Sequence, residues 1–78
     1  MEVLIITPDT EIYNGEAQSL VLPALDGEVG ILDNHAPLIT MMKEGSIRMK
    51  DDAGKEHTFE VKGGTVEVLN NKVTVLAE

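Results

Sequence analysis

Apolar and polar residues alternate over short stretches of this chain, and Gly, Pro, Asn or Asp interrupts the alternation every several residues. That pattern confines the chain to short strands joined by tight connections. Ile47 and Met49 alternate with Ser46, Arg48 and Lys50, and Phe59 and Val61 with Thr58, Glu60 and Lys62. Val66 and Val68 alternate with Thr65 and Glu67, and Val73 and Val75 with Lys72 and Thr74. Such runs bury one face and wet the other. Val3-Leu4-Ile5-Ile6 and Leu20-Val21-Leu22 are apolar on both faces, as in strands covered on two sides. No segment carries helix caps and a 3.6-residue apolar stripe, and the nearest candidate, Leu38 to Lys43, is too short. The expectation is an all-β fold, a two-layer antiparallel β-sandwich of about nine or ten short strands.

The connections have their own chemistry. Asn14-Gly15 and Asn70-Asn71 tolerate positive φ and predict tight hairpins. Asp51-Asp52-Ala53-Gly54 predicts a longer hairpin, and Gly63-Gly64 either a turn or a close backbone approach. The stretch from Leu22 to Leu38 reads as strand, bend, short strand, exposed polar loop and strand again, which presents a loop and not a pocket. Leu38 to Met42 cannot all be core in an alternating strand. Two readings stay open for it: flexible Met and Leu side chains exposed at an adaptable interface, or a strand covered on both faces.

Seventy-eight residues predict one domain spanning positions 1–78, with no room for a second, catalytic one. A chain of this size buries only about 60% of its unfolded surface, so it gains from docking onto something larger. The absence of cysteine excludes disulfides, thiolate nucleophiles and Cys-ligated zinc, and leaves the redox compartment open. Fourteen acidic against six basic residues give a net charge of −8, which repels phosphate backbones. With one Tyr and one Phe there is no base-stacking platform, so nucleic acid is not an expected partner. The apolar runs fall far short of the ~18 residues that span a bilayer. The Met1-Glu2 start lacks a basic region, so no signal peptide is expected, and membrane association would come through other proteins.

Few residues invite catalytic readings. His35 has Asp33 two positions away and His57 as a distant partner, but no third ligand stands at a recognised spacing, so no metal site is expected. His35 is expected instead to bond backbone groups and fix its loop, with Pro37 restraining Ala36 to extended geometry. Gly27 and Gly30 are flanked by acidic Asp26 and Glu28, and no helix follows them. That composition disfavours a phosphate cradle and favours bend or bulge glycines. Ser19, Thr40 and Ser46 lack any nucleophile motif, so no catalytic residue and no cofactor are expected.

Gly27-Glu28-Val29-Gly30-Ile31-Leu32-Asp33-Asn34-His35-Ala36-Pro37-Leu38 resembles the signature of one family: the N-terminal β-sandwich domain of the epsilon subunit of F-type ATP synthases, called delta in mitochondria. Ile6-Thr7-Pro8-Asp9 followed by Ile12 to Glu16 is similar to the family's opening hairpin. Lys43-Glu44-Gly45-Ser46-Ile47-Arg48 resembles its Lys-Pro-Gly-x-x-Arg step, with Glu44 where proline is common. Gly63 to Val68 and Val73 to Glu78 resemble the closing strands.

The resemblance implies a non-catalytic central-stalk (rotor) subunit of the proton-transporting ATP synthase. Such a subunit packs on gamma, sits on the polar loops of the c-ring, and couples proton translocation to ATP synthesis on other subunits. Carried over residue by residue, Glu28, Asp33 and Asn34 would face the c-ring, and His35, Thr40 and Met42 would face the gamma subunit. The implied place is the cytoplasmic, stromal or matrix face of an energy-transducing membrane, without direct insertion. Family members continue into a two-helix domain that inhibits ATP hydrolysis and in some members binds ATP. This sequence ends at Ala77-Glu78, so no C-terminal helical hairpin is expected and those activities are in doubt. The alternative is a biotinyl or lipoyl carrier domain modified at Lys50, although such domains place the acceptor lysine at a hairpin differently from Lys50-Asp51-Asp52.

Overall fold

The alternating runs become eight strands in the computed structural model, which describes residues 1–78. They are β1 (Glu2–Ile6), β2 (Glu11–Ala24), β3 (Gly27–Leu32), β4 (Leu38–Met42), β5 (Gly45–Asp51), β6 (Glu56–Val61), β7 (Gly64–Leu69) and β8 (Lys72–Ala77). No helix forms.

The strand that organises the fold is β2, at 14 residues. Its first half pairs with β1, and its second half carries β3 on one edge and β5 on the other. Pairing then runs β1-β8-β7-β4 in one direction and β5-β6 in the other, so β2 joins two layers, β1-β8-β7-β4 and β3-β2-β5-β6. Ala24 meets Met42 where β2 rejoins the first layer.

The sandwich differs from the sequence-based expectation in three respects. Eight strands replace nine or ten, because β2 is continuous where two pieces were expected. The pairing of β1 with β8 is parallel while every other ladder is antiparallel. A parallel pair needs a long crossover, and the whole intervening chain supplies it. Finally, Asn14-Gly15 makes no hairpin but lies inside β2, opposite Leu4 and Val3. A β-carbon on Gly15 would come 3.0 Å from the Tyr13 hydroxyl oxygen, so this glycine seats the tyrosine ring. Long-range pairing with β1 outweighs the local turn propensity. Asn70 and Asn71 do form the expected turn between β7 and β8, with φ of 52° and 59°.

Period-two alternation fills the interior with Val3 and Ile5 of β1, Ile47 and Met49 of β5, Val66 and Val68 of β7, and Val73 and Val75 of β8. In β2 the inward positions are Ala17 and then Leu20 and Leu22, a change of phase caused by one extra residue where Ala17 faces Asp51 and Ser19 faces Lys50. Burying a Val, Leu or Ile side chain contributes about 1.5–3 kcal/mol, so this core carries the fold. It holds no buried polar or charged residue.

Candidate interaction surface

The two outer faces of the sandwich are chemically different. On β3-β2-β5-β6 the outward residues include Arg48, Lys50, Thr58 and Glu60. Arg48 donates to both carboxylate oxygens of Glu28 at 3.1 Å, and Ser46 Oγ donates to the Glu60 carboxylate. That face is mostly polar and internally paired, and Leu32 of β3, 63% exposed, is the large apolar side chain on it.

The outer face of β1-β8-β7-β4 gathers several exposed apolar side chains around a few polar ones. Strand register sets Met41, Thr65, Leu76 and Ile6 in one row, and Ile39, Glu67, Thr74 and Leu4 in the next. Ile39 is 77% exposed, Met41 56% and Leu76 49%. An open groove of about 450 Å³ runs past Ile6, Pro8, Met41 and Leu76 at one end, and a second of about 360 Å³ past Pro37, Ile39 and Leu69 at the other. Exposed apolar side chains gathered on one sheet face mark a surface suited to another protein. Sequence reasoning singled out Leu38 to Met42 but missed Leu76, Leu69 and Glu67. The available signal was leucine at positions of β7 and β8 whose alternation demands a wet face.

Alternation also divides β4. Ile39 and Met41 point outward, Thr40 is half-buried on the inward side, and Met42 is 4% exposed within the core. Met42 was expected at a partner surface; its side chain instead packs inside, and Met41 occupies the outer position.

The residues expected at the c-ring do not converge. Glu28 stands at the start of β3 and Asp33 just beyond its end, which at about 3.3 Å per residue separates them by roughly 16 Å. Glu28 is a strand residue paired with Arg48, not a free carboxylate on a loop tip. Asp33 and Asn34 belong to a stitched loop at the opposite end. The α-ammonium of Met1 donates to Asp33 Oδ1 at 2.5 Å and to the Ala17 carbonyl at 3.1 Å. That hydrogen bond, with the charge behind it, holds the Asp33 carboxyl below the usual carboxylate range and raises the Met1 amino group against the effect of its burial. Asn34, at φ 63°, donates its backbone N–H to the Asn71 side-chain oxygen at 2.7 Å. His35 donates its own N–H to Leu32, and its Nδ1 lies 2.7 Å from the Ala36 carbonyl oxygen, which only accepts, so the ring carries a proton there. His35 thus binds backbone, as its sequence context suggested.

His57 sits elsewhere. Its Nε2 lies 2.9 Å from Asp51 Oδ2, and its ring stacks on Phe59 at 14° and tilts against Tyr13 at 5.5 Å between centroids. Asp51 also accepts the backbone N–H of Ala53 and of Lys55, and the His57 bond foremost holds its carboxyl below the usual range. This cluster braces the β5–β6 hairpin and offers no open coordination or nucleophile. No three His, Asp or Glu side chains gather to hold a metal. Lys50 lies inside β5, between Ser19 of β2 and Glu56 of β6, and not at a hairpin tip. A ladder position of that kind does not present an acceptor lysine, which removes the carrier-domain alternative.

Residues 1–78 match the family model described as ATP synthase, Delta/Epsilon chain, beta-sandwich domain. The chain is 45% identical over 78 residues to an ATP synthase epsilon chain of Alkalilimnicola ehrlichii, covering 100% of this chain and 56% of that protein. It is 42% identical over 78 residues to the ATP synthase epsilon chain of Brevibacillus brevis, covering 59% of it. The chain therefore spans a little over half the length of these curated relatives. Among solved structures, a chain of the Euglena gracilis mitochondrial ATP synthase superposes with a TM-score of 0.90 at 19% identity, covering 96% of this chain and 48% of that one. A chain of the Tetrahymena thermophila mitochondrial ATP synthase central stalk and c-ring gives 0.84 at 18% identity, covering 99% and 62%. At those identities the structural likeness speaks for the fold.

Proposed function

Because this chain belongs to the ATP synthase delta/epsilon chain β-sandwich family, we propose that it is the rotor-docking domain of a non-catalytic central-stalk subunit of a proton-transporting ATP synthase. It joins the gamma subunit to the polar loops of the c-ring, turns with both, and transmits proton-driven rotation to catalytic sites on other subunits. The observation that carries this reading is the gathering of exposed Ile39, Met41, Leu69 and Leu76 on the one outer face formed by β4, β7 and β8.

In this reading the apolar face docks on gamma, with His35 in the loop ahead of β4 and Thr40, half-buried on the inward side of β4, at its margin. Glu28, together with the turn that precedes β3, meets the c-ring, and Asp33 and Asn34 brace the far end. Complementary charge around Glu28 sets orientation more than affinity. The domain reaches the cytoplasmic, stromal or matrix face of the membrane through the complex.

Co-purification tests this directly. Tagged chain mixed with the gamma subunit should elute with it through gel filtration, and Ile39→Asp should separate the two while leaving the sandwich folded. Failure of the folded wild-type chain to co-elute at low and moderate salt would overturn the assignment.

A further inference from the structure

Glu67 breaks the apolar character of the β1-β8-β7-β4 face at its middle. Register places it between Ile39 on β4 and Thr74 on β8, with Met41, Thr65 and Leu76 in the adjoining row. It is exposed, and its carboxylate enters none of the ion pairs of the molecule, which are Met1 with Asp33, Arg48 with Glu28, and His57 with Asp51. The nearest cation on the same face is Lys72, opposite Leu69 and diagonal to Glu67, and the two do not pair.

A protein surface that covers Ile39, Met41 and Leu76 closely enough to exclude water also strips the water from Glu67. A carboxylate desolvated without a counter-charge opposes binding far more than the surrounding apolar contacts can hide, whereas a paired one fixes register and rejects partners lacking the pair.

We propose that Glu67 is the specificity-determining charge of this face, and that the covering surface of the gamma subunit presents an apolar patch with one arginine or lysine seated against the Glu67 carboxylate. This rests on the docking reading above and adds to it the chemistry of the partner. The cation reaches Glu67 between Ile39 and Thr74, and the apolar rim of Met41, Leu76 and Leu69 keeps the pair dry.

The test is calorimetry of the chain with purified gamma subunit, using wild type, Glu67→Gln, Glu67→Lys, Lys72→Met and Ile39→Asp, each with its own thermal melt. Glu67→Gln should weaken binding at least about tenfold and Glu67→Lys about a hundredfold or more, with melting temperatures close to wild type because the side chain is exposed. The loss should persist at high salt, since a pair buried by docking is screened little. Lys72→Met should bind like wild type. Binding by Glu67→Gln and Glu67→Lys within twofold of wild type, while Ile39→Asp abolishes it, overturns the role of Glu67 and leaves the docking reading standing. A loss with Lys72→Met equal to that with Glu67→Gln shows that the cation comes from this chain, and overturns the partner's charge. Undiminished binding by Ile39→Asp, or none by the folded wild type, overturns the docking reading itself.

Discussion

Gly64 lies so close to the carbonyl oxygen of Leu76 that a β-carbon added to it would sit 2.1 Å from that atom. Its φ of 137° is in addition a conformation that side chains rarely adopt. β7 therefore begins at a point where only glycine lets β8 approach. Gly64→Ala is expected to cost about 3 kcal/mol or more, lowering the melting temperature by more than roughly 10 °C. Gly30 is the control, because an added β-carbon there meets nothing within 4 Å and the backbone is not left-handed. Gly30→Ala should change stability by less than about 1 kcal/mol. Equal melting temperatures for the two variants would show that the close approach does not constrain the fold.

Three donors converge on Asp51, and they lower its pKa in the folded state. A carboxyl with a depressed folded value contributes stability that is fully present above its unfolded value and is lost as pH falls through the folded one. Urea midpoints of the wild type should hence fall below pH of about 4, more steeply than those of Asp51→Asn. Asp33 adds to the same acid limb through its bond from Met1. Parallel acid limbs in wild type and Asp51→Asn would contradict this.

Tyr13 packs against His57 and Phe59, while its hydroxyl donates to the Glu16 carbonyl at an exposed position. Packing should matter more than the hydroxyl. Tyr13→Ala is expected to cost about 2–3 kcal/mol, and Tyr13→Phe about 0.5 kcal/mol, by chemical denaturation. A larger loss from Tyr13→Phe would place the stabilisation in the hydrogen bond.

Much of this architecture is legible in the sequence because burial with period two is a local property. Ile47 and Met49, Val66 and Val68, and Val73 and Val75 all face the core as their spacing requires. The Asn70-Asn71 turn is legible for the same reason, since positive φ is a local demand. Asn14-Gly15 misleads because its conformation is decided by β1, a partner ten residues and more away. The parallel pairing of β1 with β8 joins opposite ends of the chain and leaves no local trace. The surface residues suffer most. Whether Met41 or Met42 points outward depends on the register of β4 with β7, and the union of Glu28 with Arg48 depends on two strands meeting at β2.

Glu28 and Arg48 are 63% and 57% exposed, so their ion pair should contribute little to folding despite its two hydrogen bonds. Glu28→Lys should shift stability by no more than about 0.5 kcal/mol and leave gamma binding unchanged. It should weaken association of the central stalk with the c-ring or lower coupled proton pumping in a reconstituted enzyme, most visibly at low ionic strength. Unfolding of Glu28→Lys would make the residue structural, and unaltered assembly and coupling would remove it from the contact.

The central claim is that the apolar face of β1-β8-β7-β4 is a docking surface for the rotor. Burial of apolar area leaves a negative heat-capacity change as its marker. The most direct measurement is the heat of binding to the gamma subunit at several temperatures, for wild type and for Met41→Asp. The account predicts saturable one-to-one binding whose heat grows more exothermic with temperature, and its loss in folded Met41→Asp. Binding with a heat-capacity change near zero, or binding unimpaired by Met41→Asp, would contradict it.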